Sequence, residues 1–326
     1  MALEGVELCF PQLLNASCRK PDAPGPETVF LYSLLYLLSV LTSALNLLVI
    51  ISISHFRQLH TPTNFLLLSL AVSDFFVGFL LVPAEIMVTK SCWMLGDFLC
   101  AIYYLLPYII TIASVVSMVL ISVDRYVAIC HPLHYSTSIT KDRTRVCVCL
   151  CWLYSVLLSV IIFSDHLLQP GRYNSCSGEC LVDIAGDVDL TLGFIIPISV
   201  IIALHMRVFM VAVSQARAMR SRVVVVTLQI SGTVKARKSE MKAGKNLSVV
   251  VLVFLMCYCP YYCVSLSDNK LLIGSSMEVF MVFLMYSNSC LNPVIYVFLY
   301  PWLRKCLRLI VELRVLQPGS RDANVL

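Results

Sequence analysis

A chain of 326 residues that is 59% hydrophobic and 13% charged, with mean hydropathy +0.85, is too apolar for a soluble domain, where about a quarter of residues carry charge. The length would suit two soluble domains; at this composition it reads as one polytopic membrane bundle with short connections. No nucleic-acid partner is expected, and where the charges fall is more informative than their net sum of +5.

Residues 1–27 are polar, hold Pro21, Pro24 and Pro26, and lack a basic stretch followed by a short apolar core, so no cleavable signal peptide is expected. Asn15-Ala16-Ser17 is an N-glycosylation sequon, consistent with an external N-terminus. A second match, Asn246-Leu247-Ser248, falls on the inner side and is discounted. Hydrophobic spans are expected at 28–54, 63–89, 97–131, 144–165, 187–213, 245–267 and 275–299, each long enough to cross a ~30 Å hydrocarbon layer as a helix. The expected fold class is therefore an all-α membrane protein, a seven-transmembrane helix bundle at 28–300. An extracellular N-terminus at 1–27 precedes it, and an amphipathic helix with a cytoplasmic tail follows at 301–326.

Between Asp97 and Asp124 the third span carries no charge, and it ends in Asp124-Arg125-Tyr126 where lipid gives way to water. An arginine there is either an interfacial positive-inside residue or a group held by carboxylates in one state of a bundle and released in another. With the N-terminus outside, only Arg19, Lys20, Lys90, Arg172 and Lys270 of the 24 basic residues lie on the outer side. The positive-inside rule thus fixes the orientation. Acids lean the other way, towards the outer ends of the spans, a bias that draws cations to that face. The basic loop at about 214–244 could dock a partner. After span seven, Leu303, Cys306, Leu307 and Ile310 share one face of a short helix while Arg304, Lys305 and Arg308 share another. That pattern suits a helix on the inner leaflet, with Cys306 a candidate for palmitoylation.

Most of the fifteen cysteines lie in apolar runs, where a thiol is a small core hydrophobe. Cys9, Cys18, Cys92, Cys100, Cys176 and Cys180 fall in or near polar segments on one side, and a disulfide reading is confined to those.

Intramembrane polar groups are costly and so informative. Asn46, Asp74, Ser114, Asn288, Ser289 and Asn292 would lie at similar depth in spans one, two, three and seven. A carboxylate there needs a proton, or a cation with oxygen ligands. The two readings are a static hydrogen-bonded knot and a cation site.

Asn46, Leu70-Ala71-Val72-Ser73-Asp74, Cys100, Asp124-Arg125-Tyr126, Trp152, Pro197, Phe254-x-x-Cys257-x-x-Pro260 and Asn292-Pro293-x-x-Tyr296 fall one set per span. Together they resemble the landmarks of a rhodopsin-like (class A) G protein-coupled receptor. Asn288-Ser289-x-x-Asn292-Pro293-x-x-Tyr296-x-x-x-Tyr300-x-Trp302 further resembles the span-seven fingerprint of trace amine-associated receptors, which ends in Phe where this chain has Leu303. The resemblance implies Cys100–Cys180 and Cys18–Cys176 disulfides. It also implies that Arg125 meets the G protein, restrained by Asp124 and Glu240, and that Tyr296 rearranges on activation. Asp74, Ser114, Asn288 and Ser289, with Asn292 beside them, match the family's sodium site; no other cofactor is implied. Three positions depart from the pattern. Tyr258 stands where most relatives carry a pivoting Trp, and His205 where many carry a Tyr. Pro107 occupies the span-three position of the usual amine-gripping Asp.

Asp189 offers a replacement. It lies eight residues before Pro197 on nearly the same helix face, and the span stays uncharged from there to His205. Certain trace amine-associated receptors are similar in carrying an Asp there. Asp183 and Asp187 read as solvated helix-start acids. Opposite, Tyr258, Tyr261, Tyr262 and Ser265 recur at helical spacing on span six. Tyr104, Pro107, Tyr108 and Thr111 do so on span three, with Tyr286 on span seven. Such a stripe is either bundle core or an aromatic cage for an ammonium. Glu85, Asp268 and Glu278 rim the same mouth, as surface acids or as partners for a second ammonium.

The expected function is a plasma-membrane amine receptor, for trace amines or for diamines and polyamines, of the olfactory chemoreceptor type. It would couple to a heterotrimeric G protein, with the stimulatory type favoured by the resemblance, and it is not expected to be an enzyme. A class A receptor for a peptide or lipid and a cation transporter are the alternatives. Span seven lacks a Schiff-base lysine, which disfavours an opsin, and neither HExxH nor GxSxG occurs.

Overall fold

The computed structural model describes residues 7–13, 16–20, 25–90, 92–182, 185–222, 249–263 and 276–325. These fold into helices α1 (Pro26–His55), α2 (Pro62–Phe76), α3 (Val82–Lys90), α4 (Gly96–Cys130), α5 (Pro132–Ser138), α6 (Lys141–Ile162), α7 (Ser164–Leu168), α8 (Gly186–Val188) and α9 (Ile196–Arg222). They continue in α10 (Val249–Cys263), α11 (Ser276–Leu299) and α12 (Pro301–Val311). Among the described residues, six helical stretches are long and apolar enough to cross a membrane, and α10 is a shorter apolar helix. Among the described residues, each expected span overlaps helical structure. The fifth runs on to Arg222 rather than stopping near 213, because hydropathy marks where the apolar stretch ends. The helix continues through Gln215, Ala216, Arg217, Ala218 and Met219, which are strong helix formers.

Helix starts follow local chemistry. Proline opens α1, α2, α5 and α12, where a missing N–H costs nothing. Thr61 and Thr140 accept hydrogen bonds from the backbones of Asn64 and Arg143 and so cap α2 and α6.

Spans two and five are interrupted by wide π-helical turns, at Val77–Leu81 and Asp189–Ile195. Pro83 and Pro197 stand just beyond these turns. Proline removes a donor and crowds the preceding turn, and a widened turn absorbs both effects. At the first bulge the Ser39 hydroxyl donates to the Gly78 carbonyl at 2.7 Å. A Cβ on Gly78 would stand 2.8 Å from Ser43 N and Oγ, so α1 meets span two through small residues, as membrane helices do when packing drives association.

Helix α4 is the hub, packing on α2, α6 and α9. Leu70, Met118, Phe254 and Tyr296 lie in the core around it. The Trp152 indole N–H donates to Ser69 at 3.2 Å, joining spans four and two.

The N-terminal hairpin is stapled over the Cys100 end of α4. Three disulfides close there: Cys100–Cys180, Cys18–Cys176 and Cys9–Cys92. The backbone adds Cys18 N–H to Ser177 O, Ser177 N–H to Ala16 O, and Trp93 N–H to Gly178 O. Six cysteines allow fifteen pairings, and only proximity selects the third bridge. A cleft of about 500 Å³ lies beneath the hairpin, lined by Phe10, Trp93, Asp97 and Glu179 among others.

At the opposite end, Arg304 donates to the carbonyls of Val297 and Phe298 at 2.8 and 3.1 Å, satisfying the end of α11. The charged face of α12 is solvent-exposed as expected. Its apolar face is not left for lipid alone. Leu303 and Cys306 are wholly buried, Cys306 against Phe56, Leu59 and Val325 of the returning tail. The Cys306 sulfur is covered by protein, and burial pushes the thiol up to about 11.

Candidate functional site

Asp189 opens the wide turn of span five and is 7% exposed. Its carboxylate lies over Gly193, where a Cβ would stand 2.8 Å from Oδ1. Among the described residues no hydrogen bond reaches it. A desolvated carboxylate without donors is unfavourable unless it takes up a proton or meets a cation.

The surroundings are aromatic. Tyr108 of α4 and Tyr262 of α10 lie within electrostatic reach of Asp189. Tyr262 stacks on Phe194 at 3.9 Å and meets Tyr261 edge-on at 5.3 Å. Tyr108 is set edge-on against Phe163 at 4.9 Å. Tyr261 also neighbours Tyr108 and Tyr286 of α11. Tyr258, nearly fully buried, lies below and stacks on Phe254 at 4.4 Å. Pro107 and Thr111 are half-buried on α4. The Tyr104 hydroxyl donates to the Cys180 carbonyl at 3.2 Å, tying the loop to α4. Asp187 is exposed on α8, as a solvated acid should be. Asp183, Ser265 and Asp268 lie outside the described residues, as does the side chain of Glu278.

Deeper in the bundle, Asp74 is fully buried. Ser289 Oγ donates to its Oδ1 and Asn292 Nδ2 to its Oδ2, both at 2.8 Å. Asn46 Nδ2 donates to the backbone carbonyls of Thr42 and Ser289, both at 2.9 Å. Around this knot, Asn46 Oδ1, Asn288 Oδ1, Asn292 Oδ1 and the Tyr296 hydroxyl have no hydrogen-bond partner among the described residues. Ser114 Oγ neighbours the Tyr258 phenol without a well-aligned bond. Asn288 Nδ2 is unpartnered as well; unsatisfied oxygens near a buried carboxylate are the chemistry a small hard cation takes. The static knot accounts for the two bonds to Asp74 but leaves these oxygens unexplained.

At the far end of α4, Arg125 Nη2 meets Asp124 Oδ2 at 2.6 Å, and its Nε meets the same oxygen at 3.0 Å. Arg125 Nη2 also donates to Thr63 at 2.8 Å. Thr63 and Tyr135 donate in turn to Asp124, each at 3.0 Å. Helices α2, α4 and α5 are thus tied through one ion pair. Neither Thr63 nor Tyr135 was legible beforehand, since each belongs to a different helix. His205 engages Ser122, one turn before Arg125, at 3.2 Å. Tyr126 meets His131 edge-on at 5.6 Å, and Tyr296 is buried in the core. Glu240 and the sequon residue Asn15 lie outside the described residues.

The profile of the 7 transmembrane receptor (rhodopsin family) matches residues 45–296. The chain is 35% identical over 334 residues to trace amine-associated receptor 9 of Homo sapiens, covering 99% of this chain and 95% of that one. It is 35% identical to trace amine-associated receptor 1 of Mus musculus, with 98% and 99% covered. To trace amine-associated receptor 8b of Rattus norvegicus it is 36% identical, with 98% and 96% covered.

Proposed function

Because the chain belongs to the rhodopsin-like seven-transmembrane receptors, and within them to the trace amine-associated receptors, we propose that it is an amine receptor of the olfactory type whose ligand ammonium is held by Asp189. The observation that carries this reading is a carboxylate 7% exposed, without a donor among the described residues, facing tyrosines, with Pro107 at the span-three position of the family's usual acid. As a receptor of this family the protein is not an enzyme. Ligand binding shifts a two-state bundle by its differential affinity for the two states.

The receptor is a multi-pass membrane protein. In this reading its N-terminus, residues 1–27, is extracellular and glycosylated on Asn15. Residues 28–300 form the receptor domain, and 301–326 face the cytoplasm, with the basic face of α12 against lipid headgroups. Arg125, released from Asp124, meets a heterotrimeric G protein of the stimulatory type, while Tyr126, Glu240 and Tyr296 take part in the switch. Asp74, Ser114, Asn288, Ser289 and Asn292 would hold sodium, which contributes charge to the inactive bundle.

The test is a second-messenger screen of amines on wild type and Asp189→Ala at equal surface expression. Amine responses lost in Asp189→Ala support the anchor. Responses retained at wild-type potency overturn it.

A further inference from the structure

The residues after α12 fold back instead of running on. Leu313 at φ 55° and Gly319 at φ 82° reverse the chain, with short 3₁₀ turns at Arg314–Leu316 and Ser320–Asp322. A leucine in the left-handed region is uncommon and persists only where contacts hold it. Those contacts are with the end of α1 and the turn after it. Ser320 Oγ donates to the Val315 carbonyl at 2.8 Å and meets His55 Nε2 at 2.9 Å. The Val325 N–H donates to Gln58 Oε1 at 3.2 Å, and Arg57 reaches Asp322 at 3.5 Å. Beneath these bonds the Val325 side chain is wholly buried with Phe56, Leu59 and Cys306. Residues 313–325 thus form a strap across the turn joining α1 to α2 and over Cys306 of α12.

Two features mark the strap as a weakly held layer. A cleft of about 250 Å³ remains between it and Phe56 and Leu309, whereas settled cores leave few voids larger than a water molecule. Its ion pair is exposed on both sides, and such pairs contribute little. The covered cysteine also has an alternative environment. Cys306, Leu307 and Ile310 share the apolar side of a helix whose other side carries Lys305 and Arg308, the arrangement that lies in an inner leaflet. Strap and lipid cannot cover Cys306 together.

We infer that residues 313–325 are a gate on Cys306. Strapped, the tail covers the sulfur and occupies the cytoplasmic surface at His55–Leu59. Released, it opens Cys306 to S-acylation by a long-chain acyl coenzyme A. In that step the Cys306 sulfur attacks the acyl carbonyl, the bond from that carbonyl to the coenzyme A sulfur breaks, and the thiol proton leaves with coenzyme A. A single acyl chain anchors only marginally, and the basic side of α12 supplies the second membrane signal. The attached chain then takes the place of Val325 and keeps the strap open.

The experiment uses the full-length receptor in cells, with surface expression measured alongside. In permeabilised cells whose acyl transfer is inhibited, a maleimide reports the rate at which thiols react; in untreated cells, an alkyne fatty acid reports thioesters. The part of each signal lost in Cys306→Ser is assigned to Cys306. Val325→Asp, which places a charge at the buried anchor, and a chain ending at Glu312 should each raise Cys306 labelling about tenfold or more, the factor that ~1.4 kcal/mol of lost strap closure gives. Acylation of Cys306 should rise in the same order. Leu316→Asp adds the same charge to the strap where the side chain is 78% exposed, and both signals should stay within about twofold of wild type. The inference is overturned if Cys306 labels equally in wild type and in both strap variants, or if Leu316→Asp acts as strongly as Val325→Asp. It is equally overturned if Cys306 in the chain ending at Glu312 takes up no acyl group.

Discussion

Gly193 is vacant where the Asp189 carboxylate lies: a Cβ built on it would stand 2.8 Å from Asp189 Oδ1. The four-residue spacing puts both on one side of the wide turn, so the glycine shapes the space into which the acid folds. Gly193→Ala should push the carboxylate to another rotamer, because the carboxylate is the end of a flexible side chain and yields before the backbone does. Expected is a loss of about three- to tenfold in amine potency, consistent with an off-rotamer cost of ~0.5–1.5 kcal/mol. Surface expression should be near normal. A concentration–response curve checks this, and unchanged potency would mean that the carboxylate has no preferred position.

For Asp189 itself the expected effect is larger. Stranding one member of a desolvated charge pair costs about 2–5 kcal/mol, or roughly 30-fold and more in affinity. Asp189→Asn and Asp189→Ala should both lose amine response while reaching the membrane. Asp187→Ala, altering an exposed acid, should change potency little. Equal losses at both positions would point to a diffuse field in place of a contact.

Removing the Tyr135 hydroxyl deletes one hydrogen bond to the Asp124 carboxylate. Bonds to charged groups contribute about 1.5–3 kcal/mol. If the tie among α2, α4 and α5 holds the inactive state, Tyr135→Phe should raise ligand-independent signalling by about tenfold in the underlying equilibrium. Thr63→Ala should act in the same direction, since Thr63 touches both Arg125 and Asp124. Basal second-messenger output per surface receptor is the measurement; a fall in both variants would assign these bonds to the active state.

Around Asp74, raising sodium should lower agonist affinity in wild type, and Asp74→Asn should abolish that dependence. The unsatisfied oxygens of Asn288 and Asn292 are the reason to expect a cation over a closed hydrogen-bonded knot. Radioligand competition at several sodium concentrations, with potassium holding ionic strength constant, decides between them; a flat wild-type response favours the knot.

The disulfides should separate by what they hold. Cys100→Ser frees the loop that leads within nine residues to Asp189, and response should be lost even where protein reaches the surface. Cys9→Ser removes the third bridge, but Cys18–Cys176 and the hairpin's own backbone bonds remain. Potency there should stay within about threefold, as for changes away from a site's contacts. A Cys9→Ser receptor as inactive as Cys100→Ser would place the hairpin in the binding machinery.

The number of spans was legible in the sequence because a bilayer demands uninterrupted apolar runs, and charges and prolines mark their ends. Asp74, Asp189 and Arg125 stood out for the same reason: an ionisable group within or bordering an apolar run is too costly to be incidental. The helical spacing of Tyr258, Tyr261 and Tyr262 was legible as one face, and the six polar-segment cysteines as the pool for disulfides. What tertiary structure decided was everything that depends on two elements meeting. Cys9 and Cys92 are joined only because the hairpin folds over the loop before α4. Thr63 reaches Asp124 from a helix 61 residues earlier in the chain, and Tyr135 does so because α5 folds back beside the end of α4. Cys306 packs against Phe56 and Leu59, and the Tyr103 hydroxyl of α4 bonds to Glu85 of α3. Hydropathy is a property of each residue along the chain, whereas these contacts are set by how helices pack, and no local pattern encodes which faces meet.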